Sequence, residues 1–244
     1  MVKEDLDQMI RTRVSYLEGS TDLNKEFPSW ITQSCNSTSI VLDVGAGNGR
    51  TGHAKIIKQE VACLVGIDPD DSINVHPCLD ERYQVTVEDF ANDHCRDFDC
   101  LYTRFVLEHV ANPREFLLAC RSLLKPGGML FSVTPNLWHY FGLGTKLCSS
   151  LRIEDWLLTR LIGTRAKNSY HFPTMYRLNS IRVLKRALEQ AGFREVEFIF
   201  FDPRWGFRYV FPKWLRWFPY LYSRLVYTLK LPRFMGLIML KATA

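Results

Sequence analysis

The run of residues most suited to ligand chemistry lies near position 45. An apolar, β-branched run ends in the acidic residue Asp43 and a turn with Gly45, Gly47 and Gly49, and residues 51–58 read as the first turns of a helix. A strand, a glycine-rich turn and a helix in this order let backbone N–H groups and a helix N-terminus approach a nucleotide-like ligand closely. Glycine suits such a turn because a Cβ atom would block that approach or the φ > 0 angles. The run therefore predicts a ligand site at the end of a strand.

The spacing of the glycines indicates which ligand is bound. A dinucleotide fingerprint requires G-x-G-x-x-G, but its last position is Arg50 in this chain. The run from Asp43 instead reads D-x-G-x-G-x-G, which is the first motif of the class I S-adenosylmethionine (SAM) methyltransferases. The chain resembles this family, and the resemblance implies that Asp43, Gly45, Gly47 and Gly49 belong to a SAM site.

The resemblance covers residues 38–136 well and residues 171–201 more weakly. A second strand is predicted at residues 61–67, and Asp68 follows it. An acidic residue about 20 positions after the glycine turn is where an α/β nucleotide fold places the acceptor for two ribose hydroxyls. Asp68 is predicted to have that role, with its neighbour Pro69 in the same cofactor site.

A third strand is predicted at residues 83–87, and the resemblance assigns the adenine end of the cofactor to the residues after it. In the family an acidic residue here meets the adenine amino group, and an apolar neighbour packs on the ring. These roles are carried to Asp89 and Phe90, with Glu88 as the alternative in a shifted register.

Residues 98–110 are similar to the fourth-strand segment of the family. The resemblance places Thr103 and Arg104 beside the methionine end of the cofactor. Residues 124–128 and 129–134 are similar to the turn and fifth strand that follow in the family.

Three histidines are candidates for a general base. Methyl transfer from a sulfonium has a good neutral leaving group, so the protein mainly orients the acceptor and excludes water. An oxygen or nitrogen acceptor can also need a base, and histidine is best poised near neutral pH. His109 follows the fourth predicted strand, His139 follows the fifth, and His171 precedes a capped helix. The alternative for each is a structural histidine that satisfies a loop carbonyl.

The pair Glu108-His109 is similar to the E-x-x-E-H run of some ubiquinone-pathway O-methyltransferases, which is associated with a divalent metal. Here Phe105 replaces the first glutamate, so no metal is predicted. The seven cysteines form no C-x-x-C pair, so no zinc spacing is visible either.

The elements that position these residues predict one domain over residues 1–244. Strands that alternate with helices imply an α/β fold, a doubly wound, seven-stranded and mostly parallel sheet of the Rossmann-like methyltransferase kind. Residues 3–18 read as a polar helix beside the cofactor pocket. Helical insertions are predicted after strand five, at residues 137–176, and after strand six, at residues 202–233. The last two strands are predicted at residues 193–201 and 234–242.

The two insertions are expected at the acceptor side of the site. Ligands in open α/β sheets bind beyond the carboxyl ends of the strands, so residues 137–176 are expected to form a substrate lid. The second insertion interleaves aromatic residues with arginine and lysine, and Asp202 is its only acidic residue. Residues 205–222 are therefore either a helical hairpin on the core, a peripheral membrane or lipid-substrate contact, or a dimer interface.

Composition narrows the class of protein. A net charge of +5 does not by itself indicate nucleic-acid binding, and none is expected. Scattered cysteines, a polar N-terminus without a signal peptide and no long uncharged apolar run favour a cytoplasmic protein, with contact at a membrane surface as a variant.

The expected function is transfer of a methyl group from SAM to a small-molecule acceptor, at an oxygen of a hydrophobic, aromatic or lipid-linked compound. One alternative is a glycan or sugar methyltransferase, since aromatic platforms also stack on sugars. The other is a non-catalytic SAM-binding partner subunit.

Overall fold

The computed structural model describes residues 13–16, 22–150, 173–202 and 211–244, and within them eight strands form a single sheet. The strands are β1 (Arg13–Tyr16), β2 (Ile40–Val44), β3 (Cys63–Ile67), β4 (Glu81–Tyr83), β5 (Phe98–Arg104), β6 (Leu124–Pro135), β7 (Arg194–Phe201) and β8 (Leu237–Thr243). Their order across the sheet is β1-β7-β8-β6-β5-β2-β3-β4. Only β8 runs against its neighbours, β6 and β7. The other strands therefore end at one side of the sheet, which we call the carboxyl edge.

Helices cover both faces of the sheet. They are α1 (Leu23–Thr32), α2 (His53–Lys58), α3 (Val87–Asp93), α4 (Pro113–Leu123), α5 (Tyr140–Ser150), α6 (Ile181–Gln190) and α7 (Phe218–Thr228). Side chains of α1 and α2 share one buried cluster with the sheet, and side chains of α3, α4, α6 and α7 share the other. The predicted α/β fold with a doubly wound, mostly parallel sheet is confirmed.

Two elements differ from the sequence prediction. The polar helix predicted over residues 3–18 is wrong at residues 13–16, which form β1, while the rest of that range lies outside the described residues. The segment pairs with β7 at the edge of the sheet. Its residues Val14 and Tyr16 are of the β-branched and aromatic types that favour a strand. This pairing adds an eighth strand to the seven predicted.

The third predicted strand is also displaced. Strand β4 ends at Tyr83, four residues before the predicted end, and α3 begins at Val87. Thr86 accounts for the change, because its hydroxyl accepts a hydrogen bond from the Asp89 N–H at 3.2 Å and so caps the helix. The chain thus turns into a helix where the apolar pattern suggested a strand.

Candidate cofactor and acceptor site

The glycine turn lies at the carboxyl edge, between β2 and α2. A Cβ atom on Gly45 would lie 2.3 Å from Val106 Cγ2, and a Cβ on Gly49 would lie 2.7 Å from His76 Nε2. Gly47 has a φ of +54° and nothing within 4 Å of the place where its Cβ would be. The turn is therefore confined on two sides by side chains and open at its middle glycine, where a ligand can approach the backbone.

Asp68 borders this open space. Its Oδ2 accepts a hydrogen bond from the Gly47 N–H at 2.9 Å, and its Oδ1 accepts one from the Asp70 N–H at 2.8 Å. Burial raises the pKa of the carboxyl, and these two N–H donors oppose the shift. Each carboxylate oxygen can accept a further hydrogen bond. Asp68 and the turn thus fit a ribose diol, and the exposed Pro69 lies beside them.

A buried polar cluster lies beneath the turn. Asp43 and Tyr102 are register partners on β2 and β5, and the tyrosine hydroxyl donates a hydrogen bond to Asp43 Oδ2 at 2.5 Å. Burial raises the pKa of Asp43 to about 7. Burial, with nearby Arg104, lowers the pKa of His53 to about 3, and its Nε2 lies 3.9 Å from Asp43 Oδ2. The Asp43 side chain therefore contacts Tyr102 and His53 in the interior, and its part in the SAM site remains a prediction.

Sequence reasoning missed Tyr102 and His53 as members of this cluster. The period of two along β5 is the signal that could have found Tyr102. It places Tyr102 on the face that α1 and α2 cover and Leu101 on the opposite face. His53 carried no sequence signal beyond its place at the start of α2.

Arg104 lies on the turn side of the sheet. Its Nη2 donates a hydrogen bond to Asn24 Oδ1 on α1 at 2.8 Å, and its guanidinium carbon lies 5.3 Å from the centre of the Phe105 ring. Its Nε is buried and has no hydrogen-bond partner among the described residues. A cation with an unused donor beside the turn fits a ligand carboxylate such as that of a methionine moiety.

Thr103 does not join Arg104. Its side chain is fully buried, and its hydroxyl donates a hydrogen bond to Ser132 Oγ on β6 at 2.6 Å. Successive side chains of a strand point to opposite faces, so the side chains of Thr103 and Arg104 leave β5 on different faces of the sheet. The position of both residues beside the methionine end of the cofactor remains a prediction.

The residues predicted at the adenine end lie on α3. Phe90 is buried in the core, with its ring stacked on His94 at 4.0 Å. The packing of this ring on adenine remains a prediction. Asp89 is exposed and accepts a hydrogen bond from the Thr86 hydroxyl at 2.8 Å, and Glu88 is half-buried. An adenine contact from Glu88 or Asp89 remains a prediction.

His109 lies beside a backbone carbonyl, which favours one tautomer of its ring. It lies in the turn after β5, three residues beyond the Val106 that contacts Gly45. Its Nδ1 lies 3.1 Å from the Pro173 carbonyl oxygen. A carbonyl only accepts hydrogen bonds, so Nδ1 carries the proton and Nε2 is the proton-accepting nitrogen of the neutral ring.

His139 has a different environment. It is buried after β6, its Nδ1 accepts a hydrogen bond from the Phe141 N–H at 3.3 Å, and its Nε2 lies 3.6 Å from Asp202 Oδ1. Burial lowers the pKa of His139 to about 3. Both ring nitrogens therefore face protein groups, which suits a structural histidine. The third candidate, His171, lies outside the described residues.

Glu108 is turned into the core next to His109. Its Oε2 accepts a hydrogen bond from the Thr134 hydroxyl at 3.1 Å, and burial raises its pKa to about 7. Its backbone oxygen accepts hydrogen bonds from the N–H groups of Met175 and Tyr176, which attaches the last residues of the predicted lid insertion to the turn after β5. The described residues contain no group of three or more His, Cys, Asp or Glu that could hold a metal ion. The absence of a metal remains a prediction.

A sheet with one antiparallel strand, and a glycine turn that faces an acidic residue after the next strand, define the class I methyltransferase fold. A family described as a methyltransferase domain matches residues 17–197, and the chain belongs to that family. The predicted resemblance and the enzyme class are thereby confirmed, and SAM is the cofactor that they imply.

Two curated relatives are ubiquinone biosynthesis O-methyltransferases. The protein from Pseudomonas syringae pv. tomato is 32% identical over 124 residues, which is 47% of this chain and 53% of the relative. The mitochondrial protein from Rattus norvegicus is 36% identical over 107 residues, which is 39% of this chain and 30% of the relative. The chain thus spans about half or less of the length of these relatives.

Solved structures agree on the fold. A SAM-dependent methyltransferase from Archaeoglobus fulgidus has a TM-score of 0.59 at 16% identity, covering 91% of this chain and 93% of that one. One from Mesorhizobium loti has a TM-score of 0.57 at 13% identity, covering 93% of this chain and all 100% of that one.

Proposed function

We propose that this protein transfers a methyl group from SAM to an oxygen of a small hydrophobic acceptor. The observation that carries the proposal is the open backbone at Gly47 beside the Asp68 carboxylate, which fits the ribose of SAM. The choice of oxygen is supported by the two relatives, whose names describe O-methylation in ubiquinone biosynthesis.

In this proposal some of the described residues bind the cofactor and another accepts a proton. Asp68 would accept hydrogen bonds from the ribose, and Arg104 would pair with the methionine carboxylate. When bound, SAM supplies an electrophilic methyl group on a sulfonium. The protein then has to orient the acceptor oxygen in line with that group and exclude water. His109 would take the acceptor proton at Nε2 as the new C–O bond forms and the C–S bond breaks.

An aromatic cluster at the carboxyl edge supports a hydrophobic acceptor. The ring centre of Tyr140 lies 5.8 Å from that of Phe211, 5.4 Å from that of Phe218 and 4.7 Å from that of Tyr222. Tyr140 begins α5, in the insertion predicted to form the lid, and the other three belong to the second insertion. Both insertions thus meet in an apolar wall beyond β6 and β7, which suits an aromatic or lipid-linked compound.

The test is turnover of SAM by the purified chain with a matched set of acceptors. Mass spectrometry would follow the methylated product for a polyprenylated catechol, the same catechol without its tail, a hexose and no acceptor. We expect methylation of a catechol oxygen, faster with the tail. Methylation of the hexose alone would favour the sugar methyltransferase. SAM binding without turnover of any acceptor would favour the non-catalytic partner subunit and contradict the proposal.

The location of the protein also stays a proposal. None of the helices among the described residues is long and apolar enough to cross a membrane. We propose a cytoplasmic enzyme that works on a lipophilic acceptor from the surface of a membrane.

A further inference from the structure

Helix α7 carries apolar side chains on both its buried face and its exposed face. Pro219, Ser223 and Val226 are buried against the protein. On the opposite face Leu221 is 53% exposed and Leu225 is 55% exposed, one turn apart. A helix at the surface of a soluble protein normally turns polar residues outward, and a helix that is apolar all round is normally buried. The outer face of α7 therefore exposes two leucines beside Arg224, where water contact favours polar side chains.

The exposed apolar surface continues on both sides of this helix. Trp214, in the short 3-10 helix before α7, is 75% exposed, and Trp217, at its N-cap, is 57% exposed. Leu229 follows the helix and is 56% exposed. These residues lie at spacings of three and four along the chain, so they form one stripe with Leu221 and Leu225. A continuous exposed stripe marks an interaction site, whereas single exposed apolar residues need no explanation.

The charged residues of the segment that carries the stripe, residues 213–233, are all cations. No aspartate or glutamate follows Asp202 in the sequence. Five cations lie within or beside the stripe, and they are Lys213, Arg216, Arg224, Lys230 and Arg233. Arg224 is exposed on the outer face of α7 itself, and Lys213 is exposed beside Trp214. A partner for this surface must offer both negative charge and apolar depth.

We propose that this stripe, Trp214 to Leu229 with its five cations, docks the protein on an anionic lipid bilayer. Tryptophan rings sit at headgroup depth, leucine side chains enter the acyl boundary, and arginine and lysine reach lipid phosphates. Helix α5 contacts α7 through Tyr140, and it also exposes two leucines, Leu143 and Leu147. This inference concerns lipid binding and does not depend on methyl transfer.

Vesicle binding of the full chain tests the proposal without reference to turnover. Sedimentation would compare phosphatidylcholine vesicles with vesicles that also contain phosphatidylglycerol. We expect binding to the anionic vesicles only, with a blue shift of tryptophan fluorescence. Each cation near such a surface strengthens binding about fivefold at low salt, so high salt should weaken it strongly.

Two double variants separate the contribution of the apolar residues to vesicle binding from that of the cations. Trp214→Ala with Trp217→Ala should abolish the blue shift and most of the binding, and Lys213→Glu with Arg224→Glu should remove the preference for anionic lipid. The four replaced side chains are all exposed, so both variants should keep the melting temperature of the wild type. Lys55→Glu with Arg114→Glu, which are exposed on α2 and α4, makes the same change in net charge and should bind as the wild type does.

Three results would overturn the proposal. One is a wild type that ignores both kinds of vesicle. Another is equal binding by the wild type and both stripe variants. The third is a dimer in size-exclusion chromatography that the tryptophan variant dissociates while vesicles are ignored, because the stripe would then be an interface between two copies of the chain.

Discussion

The hydroxyl of Tyr102 donates a hydrogen bond to the carboxyl of Asp43 across 2.5 Å, directly beneath the glycine turn. Burial raises the pKa of that carboxyl to about 7, from 3.8. Between pH 3.8 and about pH 7, the Asp43 carboxyl of the folded protein therefore keeps a proton that the unfolded chain has released. The stability that the neutral carboxyl contributes is present below pH 3.8 and is lost as the pH rises through about 7.

The pH dependence of unfolding in Asp43→Asn tests this relationship. Asparagine keeps an acceptor for Tyr102 and cannot ionise. Relative to the variant, the wild type should lose up to about 1.4 kcal/mol of stability per pH unit across that window. Chemical denaturation at a series of pH values measures the difference. Parallel curves for the two proteins would contradict a raised pKa.

Asp99→Asn is a control for which the effect of pH on stability should have the opposite sign. Burial alone would raise the pKa of Asp99, but hydrogen bonds from the Ile40 N–H and Lys125 outweigh it and lower the pKa. The stability that Asp99 contributes is present above its ordinary pKa of 3.8 and is lost as the pH falls through the lower value. The difference between the wild type and Asp99→Asn should therefore shrink in acid.

Gly47 and Gly52 form a matched pair of glycines for the cofactor site. Both have positive φ and open space where a Cβ would be, but only Gly47 adjoins Asp68. Alanine at either position should cost about 1–2 kcal/mol of stability, because of the left-handed backbone. Only Gly47→Ala should also weaken binding of S-adenosylhomocysteine, by about tenfold or more. Calorimetric titration measures the affinity for S-adenosylhomocysteine. Equal affinity in both variants would contradict the assignment of Gly47 to the cofactor site.

Asp68→Ala should weaken SAM binding by about 2–4 kcal/mol, because a charged group that accepts two hydrogen bonds is removed. Asp80→Asn removes the same charge at a distance from the turn, where Asp80 accepts from the Leu64 N–H at 2.7 Å. The control should bind SAM normally. Unchanged affinity in a folded Asp68→Ala protein would refute the ribose assignment.

Arg104→Gln should weaken S-adenosylhomocysteine about 10- to 100-fold, through the loss of a charge-assisted hydrogen bond to the carboxylate. It should leave 5′-methylthioadenosine unaffected, because that ligand lacks the amino-acid end. Asp68→Ala should weaken both ligands. If Arg104→Gln weakened both equally, the guanidinium would have a structural role through Asn24 instead.

His109→Asn separates a base from a structural histidine. The asparagine amide can still donate to the Pro173 carbonyl, but it cannot accept a proton. Turnover should fall by about 100-fold or more while SAM affinity and melting temperature hold. His139→Ala, by contrast, should lower the melting temperature, because the contacts with Phe141 and Asp202 are lost. Near-normal rates in both variants over a pH series would mean that orientation and desolvation alone drive the reaction.

The sequence by itself determined the parts of the site that are local in the chain. The glycine turn, the strand before it and Asp68 after the next strand were all predicted at their observed places. Their physical reason is short-range, since a turn with positive φ needs glycine and a strand ends where its apolar run ends. The alternation of strands and helices likewise predicted the doubly wound sheet.

Only the tertiary structure decided which distant residues meet. Asp43 and Tyr102 are 59 residues apart and meet because β2 and β5 pair in one register. The Thr86 cap begins α3 where the apolar pattern suggested a strand, and Phe90 is buried in the core on that helix. In the aromatic and basic insertion, composition predicted an unusual surface. Which side of α7 turns outward depended on how Val226 packs against the rest of the fold, and that is a property of the assembled core.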